Sequence, residues 1–219
     1  MSDQDRRVYA RAMAERLVLT GIVPANKASP EDLDAVMGRR GASAECQCQR
    51  YKLAPRESFR AVPTDERRLR LLSQTCAGDP EAPTTTGLVA YLDEVPVAWC
   101  AVQPRSEYGG LLRAYRTPWE GRAEDRDDPG VWALTCFMVR AGYRHRGISY
   151  ALTSAAVEFA RSRGARAIEG YPMVPVEGKV TWGEEHVGFA PVFAAAGFRE
   201  VSRPGKRRVV MRLDFGAVG

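Results

Sequence analysis

The sequence lacks the long apolar runs that a membrane-spanning helix needs, and residues 1–17, MSDQDRRVYARAMAERL, lack the apolar centre of a secretory signal peptide. We therefore expect no membrane association and a cytoplasmic location. Internal repeats and low-complexity tracts are also absent. What is present is an ordinary globular composition, with 45% hydrophobic and 27% charged residues in a chain of 219.

Cysteine and histidine are both scarce. The five cysteines are an odd number, which argues against a disulfide framework. Cys46 and Cys48 lie in a segment, 46–53, in which alternation predicts a short strand with both thiols on one side. With Cys76 and a histidine they would suit a zinc ion, but the paired C-x-x-C spacing of zinc domains is missing. We expect no metal, and thiols that line the core or the wall of an acceptor site.

The net charge of +5 is modest and favours anionic ligands in general. Arginine-rich runs at 67–70 and 206–208 raise nucleic-acid binding as an alternative function. No aromatic-rich basic strand or DNA-reading motif accompanies these runs, so we predict solvated surface charges and no nucleic-acid partner.

Hydrophobic periodicity predicts one α+β domain with a helical N-terminal extension. Helices are predicted over 4–20, over 30–38 after the N-cap Ser29, over 65–78 after the cap Thr64, over 148–163 and over 186–197. Strands are predicted over 87–92, 95–103, 131–139, 165–171 and 207–214, and the first two form a hairpin. The connection 104–130 is long enough to be functional.

The stretch YRHRGIS, residues 143–149, places arginines and one glycine where an amphipathic helix begins. The unpaired amides of a first helical turn and the helix dipole favour an anion there, and glycine lets the backbone approach it closely. A surface turn with solvated arginines is the alternative. The chain has neither GxxxxGK[ST] nor GxGxxG, so neither of these two phosphate motifs explains the cluster.

Residues 137–152, FMVRAGYRHRGISYAL, resemble the acetyl-CoA-binding motif of the GNAT superfamily of N-acetyltransferases, [RQ]-x-x-G-x-[GA]. The matching positions are Arg144, His145, Arg146, Gly147, Ile148 and Ser149, with serine where glycine or alanine is usual. The predicted order of elements over 86–214 matches the family as well. The resemblance implies a three-layer fold with a splayed, mostly antiparallel central sheet, which opens between strands 131–139 and 167–171 and holds acetyl-CoA there.

The resemblance also implies how the chain is used. The pantetheine arm would pair with the backbone of Phe137, Met138 and Val139, and the pyrophosphate would lie on residues 144–149. Residues 1–219 would form a single acetyltransferase domain, with 1–60 as N-terminal extension and acceptor-side elements and 86–214 as the GNAT-like core. The implied activity is acetyl transfer from acetyl-CoA to a primary amine of a small molecule or peptide. An acyl-CoA-binding module with little or no catalysis is the alternative.

The catalytic residues are less clearly marked. In families of this kind a tyrosine four residues before the glycine of a Gly-Phe pair often protonates the leaving thiolate, and here that position is Phe193, ahead of Gly197. We predict Glu169 as the general base, directly or through water, and Tyr171 as a proton donor, since residues two apart share one face of a strand. An ion-paired glutamate and a packed tyrosine are the alternatives. Homodimerisation through the 4–20 helix is left open.

Overall fold

The computed structural model describes residues 19–174 and 185–216. Within these ranges the chain forms one seven-stranded sheet in the order β1-β2-β3-β4-β5-β7-β6, in which every neighbouring pair is antiparallel except β4 and β5. The strands are β1 Gly21–Pro24, β2 Leu88–Leu92, β3 Val95–Pro104, β4 Val131–Val139, β5 Ala167–Gly170, β6 Arg199–Ser202 and β7 Val210–Asp214.

The α-helices of the described residues are α1 Pro30–Met37, α2 Ala42–Cys46, α3 Thr64–Thr75, α4 Gly109–Ala114, α5 Ile148–Ser162 and α6 Ala190–Ala195. Short 3-10 turns lie at Ala25–Lys27, Arg105–Glu107 and Ala141–Tyr143. None of the helices that the structure describes has the length and apolarity of a membrane span. The helix predicted over 4–20 falls almost entirely outside the described residues.

Helices cover both faces of the sheet, so the predicted three-layer, mixed α+β fold is confirmed. On one face α5 buries Ile148, Leu152 and Ala156 against β2, β3 and β4. On the other face α1 and α3 bury Leu33 and Leu71 in a cluster that includes Trp99 of β3. Apolar residues at helical spacing on α5 and alternating residues on the strands account for this sandwich.

Several boundaries follow the sequence signals. The β2–β3 hairpin is confirmed, as is α1, which begins with a capping box: the Ser29 side chain accepts from the amide of Asp32, and the Asp32 carboxylate accepts from that of Ser29. Thr64 is not a cap, because α3 starts at Thr64 itself with Pro63 before it and no side-chain cap. Strands β1 and β6 were not predicted from the sequence, since their short segments carry no clear alternation.

The strand predicted over 46–53 is wrong. Cys46 ends helix α2, and the next two residues, Gln47 and Cys48, both have left-handed backbone angles, with φ of 47° and 49°. Left-handed residues cannot continue a strand, and for residues other than glycine this conformation is uncommon. The alternation of apolar and polar residues here reflects a helix end followed by turns.

The arginine run at 67–70 is only in part the solvated surface that was predicted, since Arg68 and Arg70 stay partly exposed and Arg67 does not. The Arg67 guanidinium is buried and donates to the carbonyls of Phe59 and Val62. Arg68 pairs with Asp34 at 2.6 Å, and Arg70 pairs with carboxylates of Glu57 and Glu66. These arginines tie α3 to its neighbours and so are committed to internal partners.

The capping box makes a testable contribution to stability. We expect Ser29→Ala to lower the free energy of unfolding by about 1 kcal/mol, because the Asp32 amide loses its acceptor. The measurement is denaturant unfolding of the two proteins. Ser154→Ala, on the exposed face of α5, is the matched control and should be neutral or slightly stabilising, since alanine is the better helix former. Equal effects of the two changes would contradict the role of the cap.

Candidate functional site

Strand β4 opens away from β5 half-way along its length. It pairs with β5 only through Val131–Leu134, whereas its pairing with β3 continues to Val139. Thr135 of β4 has no partner on β3, because Leu134 faces Val102 and Cys136 faces the adjacent Ala101. Such a bulge bends the strand and re-aims its side chains, and bulges are frequent next to active sites. The splay predicted between these two strands is therefore confirmed.

A short segment enters the opening. The amide of Phe137 donates to the carbonyl of His186 at 2.6 Å, and the amide of Met173 donates to the carbonyl of Gly188 at 2.9 Å. Residues 186–188 thus bridge the second half of β4 to the chain that follows β5. The Phe137 amide, which was predicted to pair with the pantetheine arm, donates to the His186 carbonyl in this structure.

Helix α5 begins with its amides uncovered by side chains. Gly147 is its N-cap, with φ of 76°, no side chain caps the helix, and its first turn contains no acidic residue. The first hydrogen bonds of the helix run from the amides of Tyr150 and Ala151 to the carbonyl of Gly147. The amides of Ile148 and Ser149 come before these bonds and have no acceptor within the helix. Exposed side chains from residues 144–146 surround this end. The arrangement suits an anion.

Glu169 lies in a buried charge network. Its carboxylate is fully buried and accepts from Arg105 and Arg122, each at 2.7 Å. The Tyr171 hydroxyl donates to the same carboxylate at 2.9 Å, so the two predicted catalytic residues do share one face. Burial, together with the Glu169 charge, raises the pKa of Tyr171 well above its usual range, and the phenol stays protonated at neutral pH.

The charge network connects the 104–130 segment to the sheet. The Arg105 guanidinium also donates to the carbonyls of Asp125 and Arg126 and to the carboxylate of Glu124, and its side chain is completely buried. Arg122 pairs with Glu124 at 2.7 Å as well. Hydrogen bonding to the two arginines outweighs burial and lowers the pKa of Glu124. The 104–130 segment is therefore held to β5 by the ion pairs of Arg105 and Arg122 with Glu169.

A wall of aromatic side chains lies beside the bulge. Tyr51, Tyr108 and Tyr171 pack with Ala133 of β4 in one buried cluster. The Tyr51 hydroxyl is 3.5 Å from Nε2 of His186. The Tyr108 hydroxyl is buried and lies near the side chain of Thr135, the extra residue of the bulge. Sequence reasoning missed Tyr51, Tyr108 and His186, which carry no motif and meet only through the fold.

The thiols gather on the same face of β4. Cys48 and Cys136 have their sulfurs 3.5 Å apart, and the Trp99 indole N–H donates to Cys48 at 3.1 Å. Contact with Cys136 lowers the pKa of Cys48, while contact with Cys48 raises that of Cys136. All five cysteines are free. Within 19–174 and 185–216, no group of three or more potential ligands is placed to hold a metal ion.

Phe193 is a core residue. It is fully buried and its ring meets those of Phe137 and Phe198 edge to face, with centroids 5.9 and 5.2 Å apart. The position where related proteins often have a tyrosine is thus filled by an aromatic contact between α6 and β4.

The family can now be stated. Residues 49–173, which include the splayed strands and α5, match the model described as the Acetyltransferase (GNAT) family. The match spans more than half of the chain, and the chain therefore belongs to the GNAT acetyltransferase family. The resemblance seen in residues 144–149 is confirmed. A comparison with curated proteins found no significant match.

Comparison with solved structures finds similar chains at low identity. A ribosomal-protein-alanine N-acetyltransferase from Brucella melitensis is 16% identical, with a TM-score of 0.50 over 89% of this chain and 99% of that one. A GCN5-related N-acetyltransferase from Kribbella flavida is 18% identical, with a TM-score of 0.49 over 89% and 97%. A putative acetyltransferase from Salmonella typhimurium, solved with acetyl-CoA, is 15% identical, with a TM-score of 0.48 over 89% and 92%.

The buried network predicts a large loss of stability for Glu169→Gln. The neutral amide would remove one of the two carboxylates that balance the Arg105 and Arg122 guanidiniums and leave Glu124 alone to do so, and breaking a buried pair costs about 3–5 kcal/mol. Denaturant unfolding measures the loss. The control is Glu158→Gln, in an exposed pair with Arg161, which should change stability by less than about 0.5 kcal/mol. Wild-type stability in Glu169→Gln, combined with loss of acetyl transfer, would instead favour the general-base role.

Proposed function

We propose that the protein transfers the acetyl group of acetyl-CoA to a primary amine of a small molecule or peptide. The observation that carries this proposal is the opening of β4 from β5 beyond Leu134, on the strand that leads into the uncapped N-terminus of α5. Membership of the GNAT family supports it, because the matched residues contain both features.

The residues present fit a nucleotide thioester. The uncapped amides of Ile148 and Ser149, with the exposed side chains of Arg144, His145 and Arg146, offer donors and positive charge to a pyrophosphate. The backbone of Phe137, Met138 and Val139 lies on the half of β4 that β5 does not pair with. We infer that the thioester carbonyl takes the place of the His186 carbonyl at the Phe137 amide.

The chain would assist the reaction mainly by binding and orientation. An amide such as that of Phe137, already directed at a carbonyl oxygen, stabilises negative charge that develops on that oxygen. Backbone pairing along β4 holds the thioester while the aromatic wall restricts the approach of the amine. Holding two reactants in line accounts for a large part of the rate that such enzymes gain.

The catalytic assignment of Glu169 and Tyr171 stays a prediction. Two guanidiniums and a phenol already bind the Glu169 carboxylate, and a base must have a lone pair directed at the proton that it removes. This geometry supports an anchoring role, in which Glu169 holds the 104–130 segment against β5.

A binding module with little catalysis is the second candidate. The burial of Phe193 among Phe137 and Phe198 favours it, because no hydroxyl is present at the position where related proteins often donate a proton. Release of the free CoA thiol, measured with acetyl-CoA and a panel of alkyl amines, amino acids and short peptides, separates the two. Amine-dependent release supports the transferase, and binding of acetyl-CoA without release supports the module.

The setting of the reaction follows from the same proposal. Free thiols at all five cysteines suit a reducing compartment such as the cytoplasm. A single domain over 1–219 and a homodimer through the N-terminal helix stay predictions. We propose acetyl-CoA and the amine as the ligands, without nucleic acid, membrane or metal.

Gly147 provides a direct test of the cofactor cradle. At about 100 times its Kd, acetyl-CoA should stabilise the wild-type protein by about 2.7 kcal/mol, which a thermal-shift experiment detects. Gly147→Val should weaken binding about tenfold or more, because a branched side chain is strained at a φ of 76° and distorts the first turn of α5.

Gly164 supplies the matched control. It lies beyond the other end of α5 with φ of 78°, and an added Cβ there, as at Gly147, would meet no atom within 4 Å. Gly164→Val should therefore carry a similar backbone strain and lower the melting temperature while keeping the shift with acetyl-CoA. A full shift in Gly147→Val would overturn the cradle, and loss of the shift in both variants would mean that strain alone is responsible.

A further inference from the structure

The contact between the Tyr51 hydroxyl and the His186 ring is a feature to which the proposed function assigns no chemistry. The Tyr51 hydroxyl and His186 Nε2 are 3.5 Å apart, and the two rings are tilted with centroids 6.1 Å apart. Catalytic hydrogen bonds are often long before substrates are in place. Tyr51 and His186 are 8% and 9% exposed, whereas Glu169 is fully buried, so the pair retains some access from outside.

The pair adjoins the opening of β4. The carbonyl of His186 accepts from the Phe137 amide, so the histidine backbone is in direct contact with the strand position that we assign to the thioester carbonyl. The Tyr51 carbonyl accepts from the amide of Leu111, which holds this part of the chain against α4. A histidine and a tyrosine from distant parts of the sequence therefore meet at the bulged half of β4.

The chemistry of the two side chains suits the proton transfers that an acetyl transfer needs. Imidazole has a reference pKa of about 6.5 and accepts a proton readily near neutral pH. Burial raises the pKa of Tyr51 above its usual range, so the phenol keeps its proton and is a weak acid by itself. It can give that proton to the sulfur when the neighbouring imidazolium replaces it. The described side chains that influence this phenol electrostatically are Arg50, Arg208, Tyr115 and Cys136. No carboxylate is among them.

We propose that His186 is the general base and Tyr51 the proton donor of the acetyl transfer, an inference that rests on the proposed function. The amine nitrogen bonds to the thioester carbonyl carbon, and the carbon–sulfur bond breaks. The amine proton goes to the imidazole of His186, the Tyr51 proton goes to the CoA sulfur, and the imidazolium returns a proton to the Tyr51 oxygen. The products are the N-acetylated amine and CoA thiol, and exchange with water restores the histidine tautomer.

The test uses the full chain, acetyl-CoA and the amine of the panel that the wild-type protein turns over fastest. His186→Gln should lower kcat about 10²–10⁴-fold and remove the fall of kcat/KM at acidic pH that a histidine base predicts for the wild type. Tyr51→Phe should lower kcat while keeping that fall. Both variants should keep the thermal shift with acetyl-CoA. Tyr91→Phe is the control. The Tyr91 hydroxyl donates to Asp32, which is not part of the proposed site, so this change should leave kcat unchanged.

Chemical rescue separates a catalytic from a structural role. Added imidazole should restore at least part of the lost rate to His186→Ala, because the free base occupies the space of the ring. Absence of rescue, together with an unchanged pH profile in His186→Gln, would overturn the assignment of the base. Wild-type kcat in Tyr51→Phe would overturn that of the donor. Failure of the wild type to acetylate any amine would instead overturn the proposed function itself.

Discussion

Strand β4 exchanges hydrogen bonds with β3 along almost its whole length and with β5 only over its first four residues. This unequal pairing is the constraint on which the site depends. A strand loses its partner on one side wherever the neighbouring strand ends early, and β5 ends at Gly170 while β4 runs on to Val139. The backbone groups of the longer strand then need other partners. In this structure residues 186–188 supply one, and a thioester arm offers the same kind of partner.

The 104–130 segment beside the site is held by charges rather than by apolar packing alone. Arg105 and Glu169 form an ion pair whose side chains are completely buried. Burying two charges carries a desolvation cost that an exposed ion pair does not have. The cost is offset because the Arg105 guanidinium and the Glu169 carboxylate each have several hydrogen-bond partners. Such a network is rigid, and it fixes one end of a long segment that has little regular structure. Glu169 is thus better suited to positioning the wall than to moving a proton.

The sequence predicted the parts of the fold that have a strong period and the site residues that belong to a motif. Helix α5, the β2–β3 hairpin and β4 follow from periodicity, and residues 144–149 follow from the motif. The strand predicted over 46–53 was wrong because backbone angles at Gln47 and Cys48 override the alternation. The meeting of Tyr51 with His186 depends on contacts across 135 positions of the chain, which no local pattern encodes.

Phe193 explains why the proton transfers would move to the other side of the opening. Its ring is enclosed by Phe137 and Phe198, and a hydroxyl placed there would need a hydrogen-bond partner within an aromatic cluster. Without a donor on the α6 side, a thiolate leaving from the β4 opening would take its proton from water or from the opposite face, as we propose. That face presents tyrosines and a histidine beside the bulge at Thr135. Under the proposed assignment, the phenylalanine at position 193 and the pairing of Tyr51 with His186 would both follow from moving the proton donor to that face.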